Sequence, residues 1–326
     1  MTIPEPAAES PPPGPARKSG RSRLWWALAA LPFVPWAIGL AARWWWFAEL
    51  FTHFRFQWLL GTGAVGLVLL FARQWIPLAL CGVAAWVLAA PLLDGVIYRG
   101  GEGKLRGPDP PLTVVTANVL TRNRDAASLL AYLEAADPDV LCLQEIDSSW
   151  AAALAPLHDE YPHRLVVPDD LGNFGMAVYS RFPAVFREET IEGVPRIRAE
   201  VDVNGRSLTV FNVHTSPPMG AVRAGERNRG MARLAADAAA TAGPVVVCGD
   251  LNCSPWSPYF ADLLKDGGLA DPRAGGRNPT SWRAENPLFA LPIDHLLGGG
   301  EARVLFLTAG PDIGSDHRPL QAQVFP

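Results

Sequence analysis

The chain has 326 residues, 49% of them hydrophobic and 18% charged, with a formal charge of −4. That apolar content excludes disorder throughout, and four Cys in such a length exclude a disulfide scaffold. The averages conceal a division: residues 1–106 carry 10 Lys+Arg against 5 Asp+Glu, residues 107–326 carry 18 against 27, and nine of the twelve Trp lie between Trp25 and Trp86.

Residues 1–23, opening on a run rich in Pro, Ala, Ser and Gly, read as a disordered cytoplasmic tail. From Leu24 to Leu93 the only formal charges are Arg43, Glu49, Arg55 and Arg73, and they cut the stretch into 24–42, 56–72 and 75–93. Each outer run has 19 residues, which at about 1.5 Å per residue reaches roughly 28 Å, close to the hydrocarbon thickness of a bilayer. Three transmembrane helices are therefore expected. An alternative has two spans and one interfacial helix, with Trp44, Trp45, Trp46, His53 and Arg55 as anchors. A cleaved signal peptide fits poorly, because two more apolar runs follow the first. Arg17, Lys18, Arg21 and Arg23 before the first run favour a cytoplasmic N-terminus. Three crossings then put the rest of a multi-pass inner-membrane protein on the extracytoplasmic side, although Arg43, Arg55, Arg99, Lys104 and Arg106 fit that orientation less well.

Residues 94–111 form a Gly- and Pro-rich linker, after which a soluble domain runs over 112–326. Its pattern alternates: strand 112–119, helix 126–135, strands 139–144, 177–179 and 184–188, then strands 198–203 and 207–213 around Asn204-Gly205, a strong hairpin signal. Helix 223–240 follows, then strands 245–248, 293–297, 304–307 and 319–324. Hairpins mixed with crossover helices indicate an α/β or α+β domain with more than one sheet. Cys142 and Cys248 read as small buried hydrophobes, and no Cys/His spacing suggests zinc.

Several of these strands end in residues that a core would not choose. TAN closes on Asn118, LQE on Glu145 and NVH on His214; GDLN sets Asp250 and Asn252 two apart, on one side of an extended backbone. IDH contributes Asp294, and SDHRP contributes Asp316 and His317. Each has an ordinary explanation taken singly: a turn or cap for Asp250, an edge imidazole for His214, a loop ion pair for Asp316 and His317, a first-turn acid for Glu145. Jointly they suggest one site.

Together with GMAVYSR ending at Arg181, these motifs in this order resemble the endonuclease/exonuclease/phosphatase superfamily over the whole soluble part, and the membrane-anchored layout resembles its bacterial membrane-bound members. The resemblance implies a four-layer α/β/β/α sandwich of the DNase I-like type and hydrolysis of a phosphodiester or phosphomonoester. It implies a hard cation, Mg²⁺ with Mn²⁺ as the alternative, on Glu145, with Asp316 as a further ligand or a supporting group. Asp250 would deprotonate water, and Asn252 would orient Asp250 or bind phosphate. Asn118 would support metal or phosphate, and His214 and His317 would face phosphoryl oxygens. Asp294 would fix the tautomer or charge of His317; which imidazole protonates the leaving group stays open. Many relatives carry a carboxylate two residues after the first Asn, where this chain has Leu120, which implies a thin one-metal site. His295 falls on the opposite face from Asp294 and is read as non-catalytic.

The substrate is not named by the fold. A net charge of −9 over residues 107–326, with Lys265 the single Lys there, argues against a duplex-DNA surface. Arg122, Arg124 and the arginines between Arg223 and Arg233 could form a local basic patch or simply a solvated face. Lipid head groups or small phosphoesters are favoured, with a nuclease acting on DNA or RNA as the alternative and a catalytically silent membrane interaction protein as the second. No protein partner is inferred.

Overall fold

The computed structural model describes residues 20–97, 110–275 and 279–326. Of the expected tail over residues 1–23 and linker over residues 94–111, residues 1–19 and 98–109, with Arg17, Lys18, Arg99, Lys104 and Arg106, lie outside them, whereas residues 20–23 and 94–97 are helical. The chain begins with α1 (Gly20–Ala30), α2 (Phe33–Gly39), α3 (Trp46–His53), α4 (Arg55–Phe71) and α5 (Trp75–Ile97). Here the sequence expectation needs correction. The run 24–42 is not one helix but two short ones, parted at Leu31 and Pro32, because proline has no N–H to donate and its ring clashes with the preceding turn. Among the described residues one helix, Trp75–Leu92 within α5, is long and apolar enough to cross a membrane. Helices α3 and α4 meet at 67° and would add one more only as a broken span, so three transmembrane helices are not supported.

The remainder folds as β1 (Leu112–Asn118), α6 (Ala126–Ala136), β2 (Val140–Gln144), α7 (Ser148–Ala153), β3 (His163–Val167), β4 (Met176–Ser180), β5 (Ala184–Ile191), β6 (Val194–Val203) and β7 (Arg206–His214). Then come α8 (Ala221–Ala240), β8 (Val245–Asp250), α9 (Pro258–Gly267), β9 (Leu269–Ala270), β10 (Asp294–Gly299), β11 (Arg303–Ala309) and β12 (Leu320–Phe325). The strands form two mixed six-stranded sheets, ordered β11-β12-β1-β2-β4-β3 and β5-β6-β7-β8-β10-β9.

Why the strands read as continuous apolar runs is now visible: both faces are covered. Val114, Cys142, Val178, Val210, Val246 and Leu296 point between the sheets. Their neighbours Val115, Leu141 and Tyr179 meet Leu129, Leu133 and Trp150 of α6 and α7, while Phe211 and Val247 meet Met231, Leu234 and Phe260 of α8 and α9. The result is the α/β/β/α sandwich. At Asn204-Gly205 both residues take positive φ, 55° and 86°, the turn a right-twisted hairpin prefers. Helix α9 falls between the expected strands 245–248 and 293–297, where no element was expected; Ser257 is its N-cap and Pro258 its first residue.

Candidate active site

The polar strand ends meet at one edge of the sandwich, contributed by both sheets. In one sheet β1 and β2 run parallel with Asn118 opposite Gln144. In the other, β7, β8 and β10 bring His214, Asp250 and Asp294 into the same row. The two sheets are pinned beneath the site by a polar link in an otherwise apolar interior. Gln144 Nε2 donates to Asn212 Oδ1 at 2.6 Å, and Asn212 Nδ2 donates to the carbonyls of Leu143 and Ala177 at 3.0 Å. Although Gln144 Oε1 is buried without a partner, the link ties the two sheets together and resists their relative sliding. Gly249 lets β8 reach the edge: its φ is 123°, and a Cβ there would sit 2.0 Å from the Val213 carbonyl oxygen. Leu120, Glu145 and Asn252, none of them glycine, all take left-handed backbone where the strands give way to loops, the kind of strain that clusters at functional edges.

Asp250 lies at the centre. Its Oδ2 accepts from Asn118 Nδ2 at 3.3 Å and lies 3.7 Å from Nε2 of both His214 and His317. Its Oδ1 accepts the backbone N–H of Asn252 at 2.7 Å, while the Asn252 side chain turns to the Thr215 carbonyl. Glu145 sits beside it: Oε1 accepts from Asn118 at 3.0 Å and lies 4.0 Å from His214 Nε2, and Oε2 accepts the Thr121 N–H at 3.0 Å. His317 Nδ1 donates to Asp294 Oδ2 at 2.7 Å. Asp316 stands further out; its Oδ2 accepts from Trp282 Nε1 at 3.3 Å, and its Oδ1 is buried without a hydrogen bond. His295, on the opposite face, accepts from Arg273 and donates to the Cys253 carbonyl.

Burial sets the charges. Asp250, removed from water and close to Asp294, has its carboxyl pushed up to about 8 despite the opposing pull of His317. Burial pulls His317 down, but Asp294 and Asp250 outweigh it and raise the imidazole to about 10. His214 goes the other way: burial lowers it more than Glu145 raises it, so it is neutral at pH 7. Two imidazoles thus face one carboxylate, one charged and one not, a separation typical of acid–base sites.

Oxygen atoms of Asp250 and Asp294 and a nitrogen of His317 lie within 4.8 Å of one another. Because Asp294 and His317 are already bonded to each other, this group has the form of an acid–imidazole chain more than of an open ligand set. Glu145, by contrast, is a hard oxygen donor among groups that leave the edge rich in negative charge, and a small hard cation suits it. Residues the sequence did not single out do the holding here. Thr121 and Asn173 both reach Glu145, and Arg273 bonds the Asp294 carbonyl. Their signals were ordinary loop polarity, and the contacts that matter are made only in three dimensions. Of the arginines weighed as a basic patch or a solvated face, Arg124 pairs with Asp147, Arg229 with Glu192 and Arg233 with Asp237, Arg227 is buried, and Arg122 and Arg223 are exposed.

A family model described as the endonuclease/exonuclease/phosphatase family matches residues 115–317. Among solved structures, an endonuclease/exonuclease/phosphatase from Beutenbergia cavernae DSM 12333 is 22% identical with a TM-score of 0.56, over 66% of this chain and 72% of that one. TDP2 of D. rerio, complexed with a single-strand DNA product, is 17% identical with a TM-score of 0.55, over 67% and 100%. Sphingomyelinase C from Streptomyces griseocarneus is 19% identical with a TM-score of 0.51, over 66% and 99%. At these identities the likeness is one of fold. No curated protein sequence matches the chain. With six motifs in order, the two-sheet sandwich and the family match agreeing, the chain belongs to the endonuclease/exonuclease/phosphatase family, whose members are hydrolases of phosphoester bonds.

Proposed function

We propose that the protein is a membrane-anchored, Mg²⁺-dependent phosphoesterase in which Asp250 activates the attacking water. The observation that carries this is the placement of Asp250 Oδ2 within 3.7 Å of two imidazoles in opposite charge states, and beside Asn118 and Glu145. Glu145 would hold the cation, with Asp316 and its unpartnered buried oxygen as the further ligand; Mn²⁺ is the alternative ion. The ion supplies charge neutralisation for the phosphoryl oxygens. Positive charge near Glu145 also favours ionised Asp250, bringing the base into its working form at neutral pH. Asp250 would take the proton of water as its oxygen attacks phosphorus, and the ester oxygen would depart with a proton from one of the two imidazoles. His317, held protonated by Asp294, and Asn118 donate toward the phosphoryl oxygens, and His214 lines the same centre in its neutral form. Asn252 holds Asp250 through its backbone N–H.

A substrate at a lipid surface is favoured over nucleic acid. Leu288 and Phe289 are exposed on a loop at the site edge whose carbonyls accept from Gln57, at the start of apolar helix α4. Leu171 and Met219 are exposed on two other loops of that edge. Of the basic residues that could face DNA, Arg124, Arg229 and Arg233 are paired with acids and Arg227 is buried. Anchoring rests on the apolar α5 and on the outward Trp, Phe and Ile of the helical region. What supports an extracytoplasmic catalytic domain at the inner membrane is the basic cluster before the first apolar run, together with the course of that run. Ala29 packs with Leu69 and Cys81, whereas Arg43 binds Asp262. The test is full-length protein in detergent micelles with Mg²⁺, offered bis(p-nitrophenyl) phosphate, sphingomyelin vesicles, inositol phosphates and single-stranded DNA. Turnover of the lipid above the DNA is expected, and DNA alone being cleaved favours the nuclease. A topology reporter after Pro326 reading cytoplasmic would overturn the placement.

A further inference from the structure

Glu49 is the one acid within the apolar run 24–93, and it is fully buried, not against lipid-type side chains but against the sandwich. Its Oε2 accepts from Arg227 Nη2, and its Oε1 accepts from Ser257 Oγ at 2.6 Å. Arg227 is equally buried and does a second thing: its Nη1 donates to the backbone carbonyl of Asn252 at 3.1 Å. One turn later in α3, His53 Nδ1 contacts Ser254 Oγ at 2.8 Å. The segment 252–257, which leaves Asp250 and begins α9, is therefore gripped at Asn252, Ser254 and Ser257 by Arg227, His53 and Glu49. Two of the three come from a helix some 200 residues earlier in the chain.

We infer that Glu49 is a positioning residue for the catalytic edge: through the buried Glu49–Arg227 pair, helix α3 fixes the backbone of Asn252, whose N–H orients Asp250. The helical region is then part of the working site and more than a tether. A bare anchor would need no buried charge, and an unpaired Arg227 in this interior would carry a large desolvation cost, so the pair marks a defined docking geometry. Exposed contacts alone would not do this. Arg43 and Asp262, joined at 2.6 Å on the same face, are half exposed and touch nothing at the site.

This inference rests on the reading of Asp250 as the base, so its experiment has an arm that does not need turnover. In the full chain with Mg²⁺, Glu49→Gln is expected to speed hydrogen exchange of residues 251–257 by about tenfold. It should lower kcat on bis(p-nitrophenyl) phosphate by roughly 10- to 100-fold, with KM within about twofold. Asp262→Asn should change neither. The apolar pair Glu49→Leu with Arg227→Met should regain the wild-type melting temperature while kcat stays low, because the Asn252 carbonyl has lost its donor. Unchanged exchange in Glu49→Gln, or full kcat in the apolar pair, would overturn the inference. If the wild type turns over no probe, the phosphoesterase reading fails and the exchange arm still decides the positioning one.

Discussion

The helical region and the sandwich are both rich in apolar residues, yet they spend them differently. In the sandwich, Val, Leu and Phe are buried between the sheets and under four helices. In the helical region Trp44, Phe71, Ile76 and Trp86 lie more than 60% exposed, and the buried core there is a small cluster around Ala29, Leu69 and Cys81. One region buries its large apolar side chains within itself; the other leaves many of them on its outer face. The two are joined by Glu49, His53, Arg43 and Gln57, polar groups that fix direction as well as distance. Chemistry concentrates where strand ends of the self-sufficient region come close to that joint.

This contrast can be broken by mutation. Phe211→Ala, in the layer between sheet and α8, should cost about 3–5 kcal/mol in denaturant unfolding, and a loss under 1 kcal/mol would mean that layer is not close-packed. Arg227→Met alone leaves the buried Glu49 charge unpaired, with only the Ser257 hydroxyl still donating to it, and should cost a similar amount, about 3–5 kcal/mol, measured on the full chain in detergent. Equal stability of variant and wild type would show that α3 is not docked in solution.

A pH series sharpens the comparison further. His317 is raised in the fold to about 10, so its contribution is fully present below about pH 6.5 and is lost as pH rises through 10. The cation-free protein should therefore melt progressively lower between pH 7 and 10, and His317→Gln should flatten that slope. An identical slope in the variant would remove His317 from the account. Smallest of all, Trp86→Ala, on the outward side of α5, should stay within about 0.5 kcal/mol in detergent. A larger loss would mean that this face packs on protein.

Much of the fold was legible because its signals are local. Asn204-Gly205 marks a turn by backbone conformation alone, and Val-Val-Val-Cys before Gly249 marks a strand covered on both faces. Asn118, Glu145, His214, Asp250, Asp294 and His317 stood out because a polar residue closing an apolar strand needs a reason. What was missed has its cause elsewhere. Pro32 and Pro35 break a run whose hydropathy is unaffected by the break. Helix α9 was missed because its start, Ser257 followed by Pro258, has the chemistry of a turn as much as of a cap. Glu49 and Arg227 are invisible as partners, since nothing local to α3 or α8 says that they meet across 178 residues.

The central claim is that the edge site hydrolyses a phosphoester with Asp250 as its base. The direct measurement is the rate on bis(p-nitrophenyl) phosphate with Mg²⁺ for the wild type and for Asp250→Asn, a near-isosteric change that cannot accept the proton. The account predicts Mg²⁺-dependent turnover abolished by a chelator, with the variant slower by about 10²–10⁴-fold at unchanged melting temperature. A variant as fast as the wild type would contradict it.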